Sequence, residues 1–200
     1  MFRLPAFVLL FVLPLAAYAA QTILVFGDSL SAGYGLARAQ SWPALLEQRL
    51  QAAHLPYVIV NASISGETTA GGRTRLPAAL AQHKPAIVVV ALGANDGLRG
   101  LPLAQMRANL GAMLRAAKQR RCQALLIGMK LPPNFGPGYT AEFARSFKDV
   151  ARAQKVPLLP FLLEPVAGDP LAFQADALHP VAAAQPKIAD HVWQALKPLL

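Results

Sequence analysis

The sequence predicts a three-layer α/β sandwich around a parallel sheet, and three observations point to it. After residue 20, apolar runs of strand length alternate with segments of helical periodicity. Most of the runs are continuous rather than alternating in polarity, as in strands buried on both faces. The first and third runs end in Gly-rich turns. Folds of this class bind ligands at such turns, at the carboxyl ends of their strands.

The expected strands are 22–26, 57–61, 86–92, 124–129 and 156–160. The first expected helix, 41–53, carries Leu45, Leu46 and Leu50 on one side. A short helix follows at 76–82. A long one at 103–121 keeps Arg and Lys on its outer face, and 140–154 buries Phe143, Phe147 and Val150. A last helix at 181–199 closes the chain. This strict alternation implies right-handed crossovers between parallel strands. No internal repeat, low-complexity tract or linker interrupts it, so residues 20–200 read as a single domain.

Composition excludes several classes. The chain has 200 residues, 54% hydrophobic and 14% charged, far from the composition of a disordered protein. The lone Cys122 excludes an internal disulfide and a Cys-rich zinc site, and it is expected to be buried. Lys and Arg number 19 against 10 Asp and Glu, a net charge of +9. That balance suits anionic partners. The cations are scattered, however, with Arg120-Arg121 the longest run, and no basic tract interleaves with aromatics. Nucleic-acid binding is therefore not expected.

Residues 1–19 read as a secretory signal peptide. Arg3 gives a positive start, no charge follows from Leu4 to Ala20, and Ala17-Tyr18-Ala19 offers a small-residue cleavage site before Ala20. The run is shorter than the ~20 residues of a spanning helix and holds Pro5 and Pro14, so no stable membrane anchor is expected. The processed chain would be periplasmic or secreted. Loss of Arg3 leaves 18 − 10 = +8.

Four short blocks carry the candidate chemistry. In Gly27-Asp28-Ser29-Leu30-Ser31, followed by Gly33 and Gly35, a strand runs into a tight turn that presents Ser29. Alone, this block fits a helix cap or a phosphate cradle as well as catalysis, although the dinucleotide and P-loop patterns are absent. In the second block, 61–68, Gly66 can bring a bare N–H close to a ligand or simply make a turn. In the third, 92–97, Asn95 offers an uncharged NH₂ donor just past a core strand, or a cap. In the fourth, Asp176 stands three residues before His179, so its carboxylate can fold back on one ring nitrogen and fix the tautomer, or act as a capping pair. Pro180 suits the first position of the last helix. Together the blocks supply a nucleophile, a base with its orienting carboxylate, and oxyanion donors, the set that acyl transfer needs.

These blocks resemble the GDSL, or SGNH, hydrolase family. The similarity extends to Tyr34 and to segments 42–46, 61–66, 95–100 and 157–161, covering about residues 20–198. It is strongest to the family's periplasmic thioesterase, lysophospholipase and arylesterase members. The resemblance implies a flavodoxin-like fold with a five-stranded parallel sheet. It implies that Ser29 attacks the acyl carbonyl, that His179 moves the proton and that Asp176 holds the imidazole. The oxyanion would lie among the N–H groups of Ser29 and Gly66 and the Asn95 amide. Water then releases the acyl group, with no metal or cofactor. A small acyl ester or thioester is the implied substrate, the chain acting as a monomer with transient contact with lipid.

Asp28 either holds the oxyanion loop or is purely structural. Leu98, on a loop over 96–101 that moves in related enzymes, is expected to line an acyl groove. Asn134 and Phe135, in the Pro- and Gly-rich 131–139 segment, are expected to form a further wall. Ala94 departs from the family, which often has a second Gly there. His54, His83 and His191 lie outside the blocks and read as surface or packing residues. Two alternatives stay open. One is a carbohydrate O-acetylesterase of the same chemistry. The other is a non-catalytic flavodoxin-like module holding phosphate or flavin, which leaves Asp176 and His179 without a purpose.

Overall fold

A computed structural model describes residues 20–200. The expected signal peptide lies outside the described residues. Strands β1 (Gln21–Gly27), β2 (Tyr57–Asn61), β3 (Ile87–Ala91), β4 (Gln123–Ile127) and β5 (Leu158–Leu159) form one sheet in the order β2-β1-β3-β4-β5. Every pairing is parallel, with Val25 opposite Asn61 on one side and Val89 on the other. Helix α2 (Trp42–Ala52) packs on α7 (Gln185–Leu196). Helix α3 (Thr69–His83) packs on α5 (Leu103–Gln119), and α5 on α6 (Pro137–Gln154). The two helical layers enclose the sheet.

The sheet interior explains the continuous apolar runs. All five residues of β3, Ile-Val-Val-Val-Ala, are buried, and so are Ile23 to Phe26 of β1. β-branched side chains suit such strands because both faces must pack. Each fully buried side chain of this size contributes about 1.5–3 kcal/mol. Edge strand β2 has no fully buried residue. Trp42 is fully buried, its backbone N–H donating to Gln185 Oε1 at 2.9 Å and its ring N–H to the Leu30 carbonyl at 3.2 Å. Cys122 is buried as expected, and burial pushes its thiol up to about 11.

Three expected elements differ from the observed ones, and two short helices are additional. The helix expected over 76–82 begins at Thr69. Its first turns lack apolar periodicity because Gly72 does the packing. A Cβ there would meet Leu92 Cδ1 at 2.3 Å, so the helix approaches the sheet by omitting a side chain. Thr68 caps it. The last helix begins at Gln185, not near Pro180. Pro180 instead pairs with Phe173 in an isolated antiparallel bridge, and its carbonyl accepts from Gln174 Nε2 at 3.2 Å. Strand β5 is two residues long because Pro157 and Pro160, which lack N–H donors, bracket it. Short helices α1 (Ser29–Ala32) and α4 (Ala94–Leu98) occupy what read as turn and loop.

Candidate active site

The sheet order places the site. From β1 the chain crosses to β2 on one side and then returns to β3 on the other. The loops leaving β1 and β3 therefore diverge and open a crevice. Asp28 caps α1, its Oδ1 accepting from the Leu30 N–H at 3.0 Å. Ser29 is thereby the first residue of a helical turn. The N–H groups of Ser29 and Gly66 donate to no protein acceptor among the described residues. The turn is tight: a Cβ at Gly27 would sit 2.9 Å from the Ala91 carbonyl oxygen.

Ser29, His179 and Asp176 lie in one hydrogen-bonded line. His179 Nε2 is 2.8 Å from Ser29 Oγ, and its Nδ1 is 2.7 Å from Asp176 Oδ2. Asp176 Oδ1 also accepts the N–H groups of Leu178 (2.9 Å) and His179 (3.0 Å). These bonds, led by those from His179, hold the carboxyl down at about 2. A carboxylate only accepts, so Nδ1 carries the ring proton and Nε2 turns its lone pair to Ser29. Tyr34 covers the imidazole, with ring centroids 4.5 Å apart.

Gly66 and Asn95 face Ser29 across the same cleft, which Ala94, Leu98, Met129 and Leu178 also line. Asn95 Nδ2 donates to the Glu67 carbonyl at 3.1 Å and lies 3.4 Å from Asp28 Oδ2. Asp28 thus touches both the Ser29 turn and the Asn95 amide. Burial raises its carboxyl to about 6, against the pull of the Leu30 N–H and of His179. Asp96 is buried behind Asn95. It accepts the Thr69 N–H at 2.8 Å and the Thr69 hydroxyl at 2.5 Å, and Asn109 Nδ2 donates to that hydroxyl oxygen at 3.1 Å. This network fixes α4 to α3 and α5.

Leu98 lines the cleft, but Asn134 and Phe135 do not. They form a 3₁₀ turn in which Phe135 stacks on Tyr139, with centroids 6.4 Å apart. The Tyr139 hydroxyl donates to the Gly97 carbonyl at 3.1 Å. This segment therefore buttresses α4 from outside. Tyr34, Met129 and Leu178 are cleft residues that the sequence did not single out as such. Tyr34 had a readable signal, its place between two glycines of positive φ, Gly33 and Gly35. Asn109 had another, as a polar residue on the buried face of an amphipathic helix. Among the described residues, no three His, Cys, Asp or Glu side chains converge as a metal site. No described helix is long and apolar enough to cross a membrane.

Residues 25–185 match the GDSL-like lipase/acylhydrolase family. The chain belongs to that family. It is a hydrolase acting on ester bonds. It is 52% identical to the esterase TesA of Pseudomonas aeruginosa over 91% of this chain and 90% of that protein. It is 43% identical to the thioesterase 1/protease 1/lysophospholipase L1 of Escherichia coli K12, over 97% and 92%. A crystal structure of TesA superposes with a TM-score of 0.88 at 52% identity, covering 90% of this chain and all of that one. The residues that give the GDSL family its name stand here as Gly27-Asp28-Ser29-Leu30.

Proposed function

We propose that this GDSL hydrolase cleaves acyl esters and thioesters through an acyl-enzyme on Ser29, with lysophospholipids, acyl-CoA-type thioesters and aryl esters as substrates. The observation that carries the mechanism is the unbroken line from Ser29 Oγ through His179 to Asp176. His179 Nε2 takes the hydroxyl proton as Oγ bonds to the acyl carbon. Asp176 stabilises the imidazolium that results. The carbonyl oxygen becomes an oxyanion among the Ser29 and Gly66 N–H groups and the Asn95 amide. As the carbon–oxygen or carbon–sulfur bond to the leaving group breaks, His179 returns the proton to it. Water then repeats the sequence and releases the acid. The Glu67 carbonyl holds one Asn95 N–H at 3.1 Å, and the other gives up its long 3.4 Å contact with Asp28 Oδ2 to meet the oxyanion.

Leu98 and Met129 give the cleft an apolar wall for an acyl chain. The Escherichia coli relative, named as a thioesterase and lysophospholipase, supports this substrate range. Residues 1–19 support export, and the processed chain then works in the periplasm or outside the cell. The test is hydrolysis of p-nitrophenyl esters from C2 to C16 by the processed chain and by Ser29→Ala. Activity peaking at medium or long chains and vanishing in the variant supports the proposal. A peak at C2 supports an acetylesterase. Turnover retained in Ser29→Ala overturns the mechanism.

A further inference from the structure

We infer that Arg99 is a positioning residue that locks the two outer donors of the oxyanion hole, Gly66 and Asn95, into one unit. The inference rests on the acyl-hydrolase reading above. Gly66 has φ +79° and no side chain to steady it, so its orientation depends on what holds its backbone. Arg99 Nη2 donates to the Gly66 carbonyl at 2.9 Å. The backbone N–H of the same Arg99 donates to the Asn95 carbonyl at 3.2 Å, closing helix α4. In return, Asn95 Nδ2 donates to the Glu67 carbonyl at 3.1 Å. One residue therefore spans the oxyanion loop and α4, and a second bond closes the ring between them.

The ring is anchored from outside, because Arg75 grips the Glu67 carboxylate at 2.9 and 2.5 Å. Among the described residues, Arg99 pairs with no carboxylate. A carbonyl held at its oxygen by a charged donor cannot swing freely, and such charge-assisted bonds are roughly twice as strong as neutral ones. The Gly66 N–H is one peptide unit away from that carbonyl. Fixing the carbonyl side restrains the rotation that would turn the N–H out of the cleft. An oxyanion donor displaced by about 1 Å loses much of its effect on the transition state while leaving ground-state binding intact.

The test compares Arg99→Ala, Arg99→Gln and Arg99→Lys with wild type on a soluble p-nitrophenyl ester, with melting temperature measured alongside. The expected result is a fall in kcat of about tenfold or more, below the roughly 10²–10³ of losing a donor outright, with KM within about twofold. A boronic acid that forms a tetrahedral adduct on the serine should weaken by a matching factor. Millimolar guanidinium should restore part of the Arg99→Ala loss. If Arg99→Ala does not fold, the Gln and Lys variants carry the same comparison. Unchanged kcat in folded Arg99→Ala or Arg99→Gln overturns the inference. So does a loss confined to KM, or an equal loss in Arg99→Lys and Arg99→Gln, since lysine keeps a charged donor for the Gly66 carbonyl and glutamine does not. Absence of ester hydrolysis in wild type would sink the acyl-hydrolase reading and this inference with it.

Discussion

The two edges of the sheet solve the same backbone problem with opposite residues. At the amino edge, where helices turn into strands, the left-handed positions are held by His54, Lys84, Arg121 and Lys155. At the carboxyl edge they are held by glycines, among them Gly33, Gly35, Gly66 and Gly93. A left-handed conformation costs an L-residue about 1–2 kcal/mol. At the amino edge a basic side chain at a helix C-terminus offsets part of that cost through the helix dipole. At the carboxyl edge a side chain would occupy the space that a substrate needs. Ala177, between Asp176 and His179 at φ +54°, is the exception. Strain at the amino edge is tolerated as a matter of stability. At the carboxyl edge glycine keeps the backbone accessible.

The largest effect should come from the line of hydrogen bonds itself. Asp176→Asn should lower kcat by about 10⁴, because an amide can donate to Nδ1 and favour the wrong imidazole tautomer. The fold should survive, since an Asn Oδ1 can still accept the Leu178 and His179 N–H groups that Asp176 holds. A kcat within tenfold of wild type would break the carboxyl-edge half of the comparison. Gly66→Ala comes next. Its strained φ and its place among the oxyanion donors predict about a 10²-fold loss in kcat, with about 1–2 kcal/mol of stability lost as well.

Asp28 sharpens the comparison through pH. Its carboxyl titrates near 3.8 when free and at about 6 in the fold. Between those values the folded protein holds a proton that the unfolded chain has released, so stability falls as pH rises from about 4 to about 6 and then levels off. Asp28→Asn abolishes this titration. Its melting temperature relative to wild type should therefore rise through that window, by the equivalent of roughly 2–3 kcal/mol at most. A flat difference across the window would remove burial as the cause. The smallest effect belongs to the amino edge. Lys84→Gly relieves the left-handed strain but loses a cation at the end of α3, so stability should change by less than about 1 kcal/mol and kcat/KM not at all.

Much of the architecture was readable because its signals are local. Strand 57–61 lies where expected, and the central strands announce themselves as unbroken apolar runs. The first half of α3 escaped because its burial is made by Gly72 and Thr69 rather than by large apolar side chains. Ser29, Gly66, Asn95, Asp176 and His179 stood out as candidates because each sits in a turn with its own residue signature. The structure gathers them in and around one cleft. Which partners their supports would meet was not readable. Asp28 meets Asn95 across 67 residues, Asp96 meets Thr69 across 27, and Asn109 meets Thr69 across 40. No periodicity encodes such contacts. Asn134 and Phe135 misled for the opposite reason. A Pro- and Gly-rich segment after a strand looks like a cleft wall, yet the Phe135 ring turns to Tyr139 instead.

The central claim is that the acyl group passes through Ser29, and the most direct measurement is the intact mass of the protein after reaction with a fluorophosphonate, followed by peptide mapping. The account predicts one adduct per chain, on Ser29, formed in step with loss of esterase activity and absent from Ser29→Ala. An adduct on another residue that tracks the loss of activity, or full esterase activity in a chain modified at Ser29, would contradict it.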